Sequence, residues 1–169
     1  MKVIARACWG IFLLRSGPQA FPRSWILLAL ISIAYLLTDG LLFVAQGVTG
    51  AGIVVQTAFD FGLQVLFFAA VLAAKFVLPR LNQTLSAWLG AGVILNLLSL
   101  PPAFALLFAT AHWAQDLLLI PVFLSIGWSM AVMTQVLRHA LSIGPIFGLV
   151  IAAVYTFASI VIFQGLFPT

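Results

Sequence analysis

The sequence has very little charge: charged residues make up 6% of its 169 residues, and glutamate is absent altogether. Soluble domains carry about 25% charged residues, so this composition excludes an ordinary water-soluble protein. Hydrophobic residues make up 64% of the chain, and the mean hydropathy is +1.26. Both values indicate a protein that crosses a membrane several times.

Cysteine and the common catalytic motifs are scarce or missing. The single Cys8 excludes an intrachain disulfide and a cysteine-based metal centre. The chain holds no GxSxG, no HExxH and no glycine-rich phosphate loop beside a strand. His112 and Asp116 are four residues apart, a spacing that suits metal ligands on a helix, but two ligands without a third make a poor site. We therefore predict no enzymatic activity, no metal site and no cofactor.

Apolar stretches long enough to cross a bilayer, which takes about 20 residues, occur five times. The predicted spans cover residues 25–46, 52–78, 87–109, 117–137 and 145–167. The connecting segments are short and rich in Gly, Pro or polar turn formers. We expect an all-α membrane domain over residues 24–169, with five transmembrane helices in an antiparallel bundle. Pro101 and Pro102 would kink the third span and form a possible hinge; in a four-span alternative this span dissolves there.

Residues 1–23 differ from the rest of the chain. Lys2 and Arg6 lie one turn apart among apolar residues, and Arg15 closes the pattern. This pattern predicts an amphipathic helix over residues 2–15 that lies flat on the lipid bilayer. The residues on its membrane side would be Trp9, Ile11, Phe12 and Leu13. In a rival interpretation the same segment binds a partner.

The distribution of basic residues predicts the orientation. The seven Lys and Arg residues, against three Asp, give a net charge of +4. They are too few and too scattered for a nucleic-acid partner. With the N-terminus in the cytoplasm, all seven lie on the cytoplasmic side, as the positive-inside rule requires, and the C-terminus lies outside. Interfacial positions are expected for most tryptophans, which are Trp9, Trp25, Trp88, Trp113 and Trp128.

Two carboxylates and several amides fall inside the predicted spans. Asp39 lies about 14 residues along the first span and Asp60 about eight residues into the second, so that both fall at a similar depth. Gln56 and Gln64 lie one turn on either side of Asp60, and Asn96 lies near the middle of the third span. We call these five residues the polar seam.

The polar seam has two interpretations. Hydrogen bonds between membrane helices contribute about 0.6 kcal/mol on average and would fix the helix register. Alternatively, paired carboxylates at one depth would hold one proton or one cation between them. The first interpretation predicts a non-enzymatic organising or interaction protein that assembles with itself or with other membrane proteins, and this is the function that we expect from the sequence. The alternative, which follows from the second interpretation, is a small proton- or cation-coupled carrier.

Two stretches resemble bacterial members of the Ypt-interacting-protein (YIP) family. "PRLNQTLSAWLGAGVILNLLSLP" is similar to the segment after the family's second span, and "WSMAVMTQVLRHALSIGPIFGLVIAAVY" is similar to its fourth and fifth spans. The resemblance covers residues 24–167. It implies a small, non-enzymatic integral protein of the bacterial inner membrane that acts through helix contacts. Eukaryotic relatives have a long cytosolic region linked to Rab-type GTPases where this sequence has residues 1–23, so the GTPase role is not carried over.

Overall fold

The computed structural model describes residues 2–167, without the side chains of Lys2, Val3 and Ala5. The chain is 85% helix, and the described residues form no strand. Within this range the helices are α1 (Lys2–Phe12), α2 (Trp25–Ala45), α3 (Ala51–Ala74), α4 (Leu81–Phe108), α5 (His112–Leu141) and α6 (Pro145–Leu166). Single 3₁₀ turns at Pro18–Ala20 and Leu78–Arg80 precede α2 and α4.

Helices α2 to α6 are long and apolar enough to cross a membrane. The shortest of them, α2, has 21 residues, which corresponds to about 32 Å at 1.5 Å per residue. The hydrocarbon core of a bilayer is about 30 Å thick. The prediction of five long apolar helices is therefore confirmed.

The third long helix, α4, continues without interruption through Pro101 and Pro102, so the four-span alternative is wrong. Each proline removes one N–H donor from the helix. This loss is smaller than the cost of unwinding an apolar segment, which would leave all of its backbone groups without partners. Whether the two prolines act as a hinge stays a prediction.

Helix α4 also begins at Leu81, whereas the third span was predicted to begin at residue 87. The added turn contains polar residues that resemble a loop in the sequence. In the fold Thr84 and Ser86 are fully buried, and the Thr84 hydroxyl donates to the backbone oxygen of Arg80 at 2.9 Å. Helix α5 is likewise longer than predicted, running from His112 to Leu141. For α4, hydropathy placed the start too late because it does not register polar residues that neighbouring helices bury.

The centre of the fold is the first half of α4, in which every residue from 84 to 92 is buried. A helix buried on all sides lies in the interior of a protein, and α4 packs most extensively against α2 and α5. Two glycines allow close approach. A Cβ at Gly92 would lie 2.8 Å from the Tyr35 ring, and one at Gly90 would lie 2.8 Å from the sulfur of Cys8.

The remaining long helices complete a ring around an interior space. Helix α3 packs against α2, and α6 packs against α5. The α3 and α6 helices meet through aromatic side chains: the ring centroids of Phe67 and Tyr155 are 4.3 Å apart, and those of Phe59 and Phe163 are 5.5 Å apart.

Helix α1 packs against α4 and α5. Ile11, which was expected in the bilayer, is instead fully buried in the protein core, while Trp9 is 50% exposed. Hydrogen bonds also hold the segment: the Trp128 indole donates to the backbone oxygen of Phe12 at 3.0 Å, and the Gln135 amide donates to that of Leu14 at 3.1 Å. The helix ends at Phe12 rather than at residue 15, and the chain turns at Leu14, whose φ is 60°.

Candidate functional site

A cavity of about 780 Å³ lies between the five long helices, and each of them contributes to its lining. It extends from Gln64 and Trp88 towards the C-terminal ends of α2 and α4, where Gln46 and Leu107 line it. Beyond Trp88 the closely packed start of α4 and helix α1 occupy the opposite end. The space is therefore closed at the end of the bundle where the start of α4 is buried.

A hydrogen-bond network at the closed end of the cavity joins α2, α3 and α4. The Tyr35 hydroxyl donates to Oδ2 of Asp60 at 2.9 Å, and the Gln64 amide donates to the same carboxylate oxygen. The Gln64 amide also lies 2.6 Å from the Tyr35 hydroxyl oxygen. The Trp88 indole donates to Oε1 of Gln64 at 2.6 Å. We call Tyr35, Asp60, Gln64 and Trp88 the carboxylate network.

The sequence positions these side chains by simple local rules. Asp60 and Gln64 are one helical turn apart, so their side chains meet on one face of α3. Gly92 leaves the space next to α4 that the Tyr35 ring occupies. Gln64 is only 3% exposed, and its amide is satisfied because it both donates to Asp60 and accepts from Trp88.

The carboxylate of Asp60 is only partly engaged. Both of its hydrogen bonds reach Oδ2, and within residues 2–167 no donor reaches Oδ1. Asp60 is half-buried and lines the cavity. A free carboxylate oxygen next to an interior space is able to accept a hydrogen bond or a positive charge from a bound molecule.

The structure divides the polar seam. Asp60 and Gln64 belong to the carboxylate network. Asn96 lines the cavity and donates to the Thr38 hydroxyl oxygen at 3.4 Å. Asp39 is 7% exposed and is not part of the lining, and its Oδ2 has no hydrogen-bond partner among the described residues. Gln56 is half-buried, and none of the described residues forms a hydrogen bond with its side chain.

Three aromatic residues of the site were not predicted. Trp88 was expected at a membrane interface, but it is 8% exposed and bonds to Gln64. The expectation was wrong because α4 begins earlier than predicted, which moves Trp88 deeper into the helix. Tyr35 and Tyr155 also line the cavity. They are the two tyrosines of the chain, and both lie in the middle of a long helix rather than at its end, a position that could have drawn attention to them.

The arrangement of the described side chains does not support a metal site. Over the part of the chain that the structure describes, no three His, Cys, Asp or Glu residues come together in a way that could hold a metal ion.

Comparison of the chain with protein-family models, with curated proteins and with solved structures finds no match.

Proposed function

We propose that this protein is a carrier that binds a small substrate in the cavity between its helices and exchanges it for a proton at Asp60. The observation that supports this function best is a carboxylate with one unengaged oxygen facing an interior space of about 780 Å³. In the exchange, substrate binding displaces the proton from the Asp60 carboxyl group, and release of the substrate allows the carboxylate to be protonated again.

The proposal places α2 to α6 across the bacterial inner membrane as an antiparallel bundle. Large apolar side chains on the outside of these helices support this placement, since Trp25 is 73% exposed, Ile26 75% and Phe147 71%. The connections between successive long helices are short, which supports an antiparallel arrangement of neighbouring helices. The basic residues put the N-terminus in the cytoplasm and the C-terminus outside.

The energetic cost of Asp60 favours a carrier over simple helix association. A charged residue in the middle of a membrane costs at least about 2.5–3.5 kcal/mol. Hydrogen bonds between neutral side chains would hold the helices together without this cost, and helix association needs no interior cavity. In this orientation the cavity is closed towards the cytoplasm. Closure on one side of the membrane is expected of a single state in an alternating-access cycle.

The carrier function is tested by measuring proton flux in liposomes that contain the purified protein and an entrapped pH-sensitive dye. The protein is challenged in turn with Na⁺, K⁺ and quaternary ammonium ions. We expect at least one cation to drive proton movement in the wild type and in Asp116→Asn, an exposed control outside the cavity. The same flux should be lost in Asp60→Asn. Absence of flux with every cation, or full flux in Asp60→Asn, would overturn the proposal.

A second candidate function is the organisation of other membrane proteins through helix contacts, which is also what the resemblance to bacterial YIP proteins implies. The observation in its favour is the exposure of α5 and α6: only 11% of the most apolar stretch of each is buried, against 28% in α2. These exposed apolar faces are available for contact with another copy or with another membrane protein. Purification in mild detergent tests this function, since a stable monomer without a bound protein contradicts it.

A further inference from the structure

We infer that the substrate of the cavity is an organic cation, such as an apolar molecule that carries an ammonium group. This inference rests on the proposed function and adds the chemical class of the substrate. Four properties of the cavity support it: its size, the sign of its charge, its hydrogen-bond acceptors and its aromatic residues.

The size of the cavity favours an organic molecule over a bare metal ion. Pockets for small organic ligands have volumes of about 300–1,000 Å³, and this cavity of about 780 Å³ lies in that range. A water molecule takes up about 30 Å³, so a dehydrated Na⁺ or K⁺ ion would fill only a small part of the space. Most of the lining side chains are apolar, as with Leu95, Val122 and Ile126, and they suit the hydrocarbon part of a ligand.

The charge of the cavity favours a cation. Asp60 is the only ionisable carboxylate among the described lining residues, and none of these residues is Lys, Arg or His. An anionic ligand would therefore meet a negative group with no positive group to balance it. A cation next to Oδ1 of Asp60 would satisfy the oxygen to which no described donor is bound, and its charge would offset the cost of the buried carboxylate.

Three serine hydroxyl groups and the Asn96 amide add hydrogen-bond acceptors to the lining. The hydroxyl groups of Ser125, Ser129 and Ser159 donate to backbone oxygens in their own helices, at 2.7, 2.7 and 2.9 Å. Their protons are thus engaged, while their oxygen lone pairs remain free to accept. The Asn96 amide nitrogen uses one of its two N–H groups to donate to Thr38, and the carbonyl oxygen of its side chain remains as an acceptor. These oxygens point the negative ends of their dipoles at a bound cation, whether it is a protonated amine or a quaternary ammonium ion, while Gln46, Ser99 and Tyr155 also line the cavity and can donate to other polar groups of a ligand.

Aromatic side chains close to the carboxylate add a second kind of attraction. Tyr35, Trp88 and Tyr155 all line the cavity. The faces of aromatic rings attract cations, most strongly when the cation is removed from water. Tyr155 suits a test because it is half-buried and lies outside the carboxylate network.

Binding measurements with matched probes test the inference. The full-length protein in nanodiscs is titrated by calorimetry with benzyltrimethylammonium, with its neutral isostere neopentylbenzene and with the anion phenylacetate, and titrations of empty nanodiscs are subtracted. We expect the cation to bind at least about tenfold more tightly than the neutral probe, and we expect no binding of the anion. Equal binding of the cation and the neutral probe, or tighter binding of the anion, would overturn the inference.

Variants identify the groups that recognise the charge. Asp60→Asn keeps an oxygen for Tyr35 and removes the charge, so it should abolish the preference for the cation while the neutral probe binds as before. Tyr155→Leu should weaken binding of the cation severalfold more than binding of the neutral probe, and Tyr155→Phe should restore it. A cation preference that survives in both Asp60→Asn and Tyr155→Leu would also overturn the inference.

The two proposals fail in different ways. If Na⁺ or K⁺ drives proton flux through Asp60 while benzyltrimethylammonium neither binds nor moves, the carrier function stands and the organic substrate is wrong. If benzyltrimethylammonium binds through Asp60 but no cation drives proton flux, the ligand class stands and the carrier function is wrong.

Discussion

Among single residues, Trp88 shows how one polar atom joins helices that are otherwise apolar. Its indole N–H is the donor that satisfies Oε1 of Gln64, and the amide nitrogen of the same Gln64 holds Asp60. Trp88 and Gln64 are both almost fully buried. A buried acceptor that loses its donor costs about 1–3 kcal/mol, so the contribution of this hydrogen bond is measurable.

We predict that Trp88→Phe lowers the free energy of unfolding by about 1–3 kcal/mol, because Phe keeps an aromatic ring but leaves Oε1 of Gln64 without its donor. The measurement is the loss of helical circular dichroism as the protein in detergent is titrated with SDS. Trp25→Phe is the matched control, since Trp25 is 73% exposed and should change stability little. The role of the hydrogen bond would be refuted by equal unfolding curves for the two variants.

Among the secondary-structure elements, α1 shows most clearly that amphipathic character does not identify the surface to which a helix binds. Its apolar face suits a bilayer and the side of a helix bundle equally well. The structure places Ile11 in the protein core and brings Cys8 against Gly90 of α4. Burial raises the pKa of the Cys8 thiol, so in the folded protein a smaller fraction is the reactive thiolate at a given pH.

We predict that Ile11→Asp speeds the reaction of Cys8 with a maleimide, because a carboxylate at this buried position separates α1 from α4 and returns the thiol pKa towards its ordinary value. Cys8 is the single cysteine of the chain, so all labelling reports on this site. The rate should rise with pH in both proteins and should be faster in Ile11→Asp at each pH below the raised pKa.

Arg15→Gln is the control for this experiment, since Arg15 is exposed and its replacement should leave the labelling rate unchanged. If wild type and Ile11→Asp react at the same rate across the pH range, α1 is not held against α4 in the way described.

For the whole molecule, the number of long helices follows from hydropathy, and the proposed orientation in the membrane rests on the distribution of basic residues. In the proposed orientation, five crossings and a cytoplasmic N-terminus would place the C-terminus outside. We predict that a reporter that is active only in the periplasm works when fused after Thr169, and that a reporter active only in the cytoplasm does not. Fusions made after Arg80, which follows the second long helix, should show the opposite pattern. Activity of the cytoplasmic reporter after Thr169 would contradict the proposed topology, and the Arg80 fusion would then separate an even number of crossings from an inverted orientation.

The sequence by itself determined the class of the fold and its long helices. The length of an apolar stretch and the Gly, Pro and polar residues between stretches are local properties, and they are enough to predict five helices of roughly the right extent. The helix ends were less accurate. Thr84 and Ser86 count as polar in any hydropathy scale, but they are fully buried in α4, because neighbouring helices rather than water surround them.

The tertiary structure alone decided which residues form the site. Spacing predicted that Asp60 and Gln64 share a face of α3, since both are on one helix. It could not predict that Tyr35 and Trp88 complete the carboxylate network, or that Asp39 is not part of the cavity lining. Such pairings depend on the rotation of each helix about its axis. Helices that are apolar on all sides carry no periodic signal for that rotation. The close approach that Gly92 permits places the ring of Tyr35 beside α4, and such packing between helices is settled only when the whole chain folds.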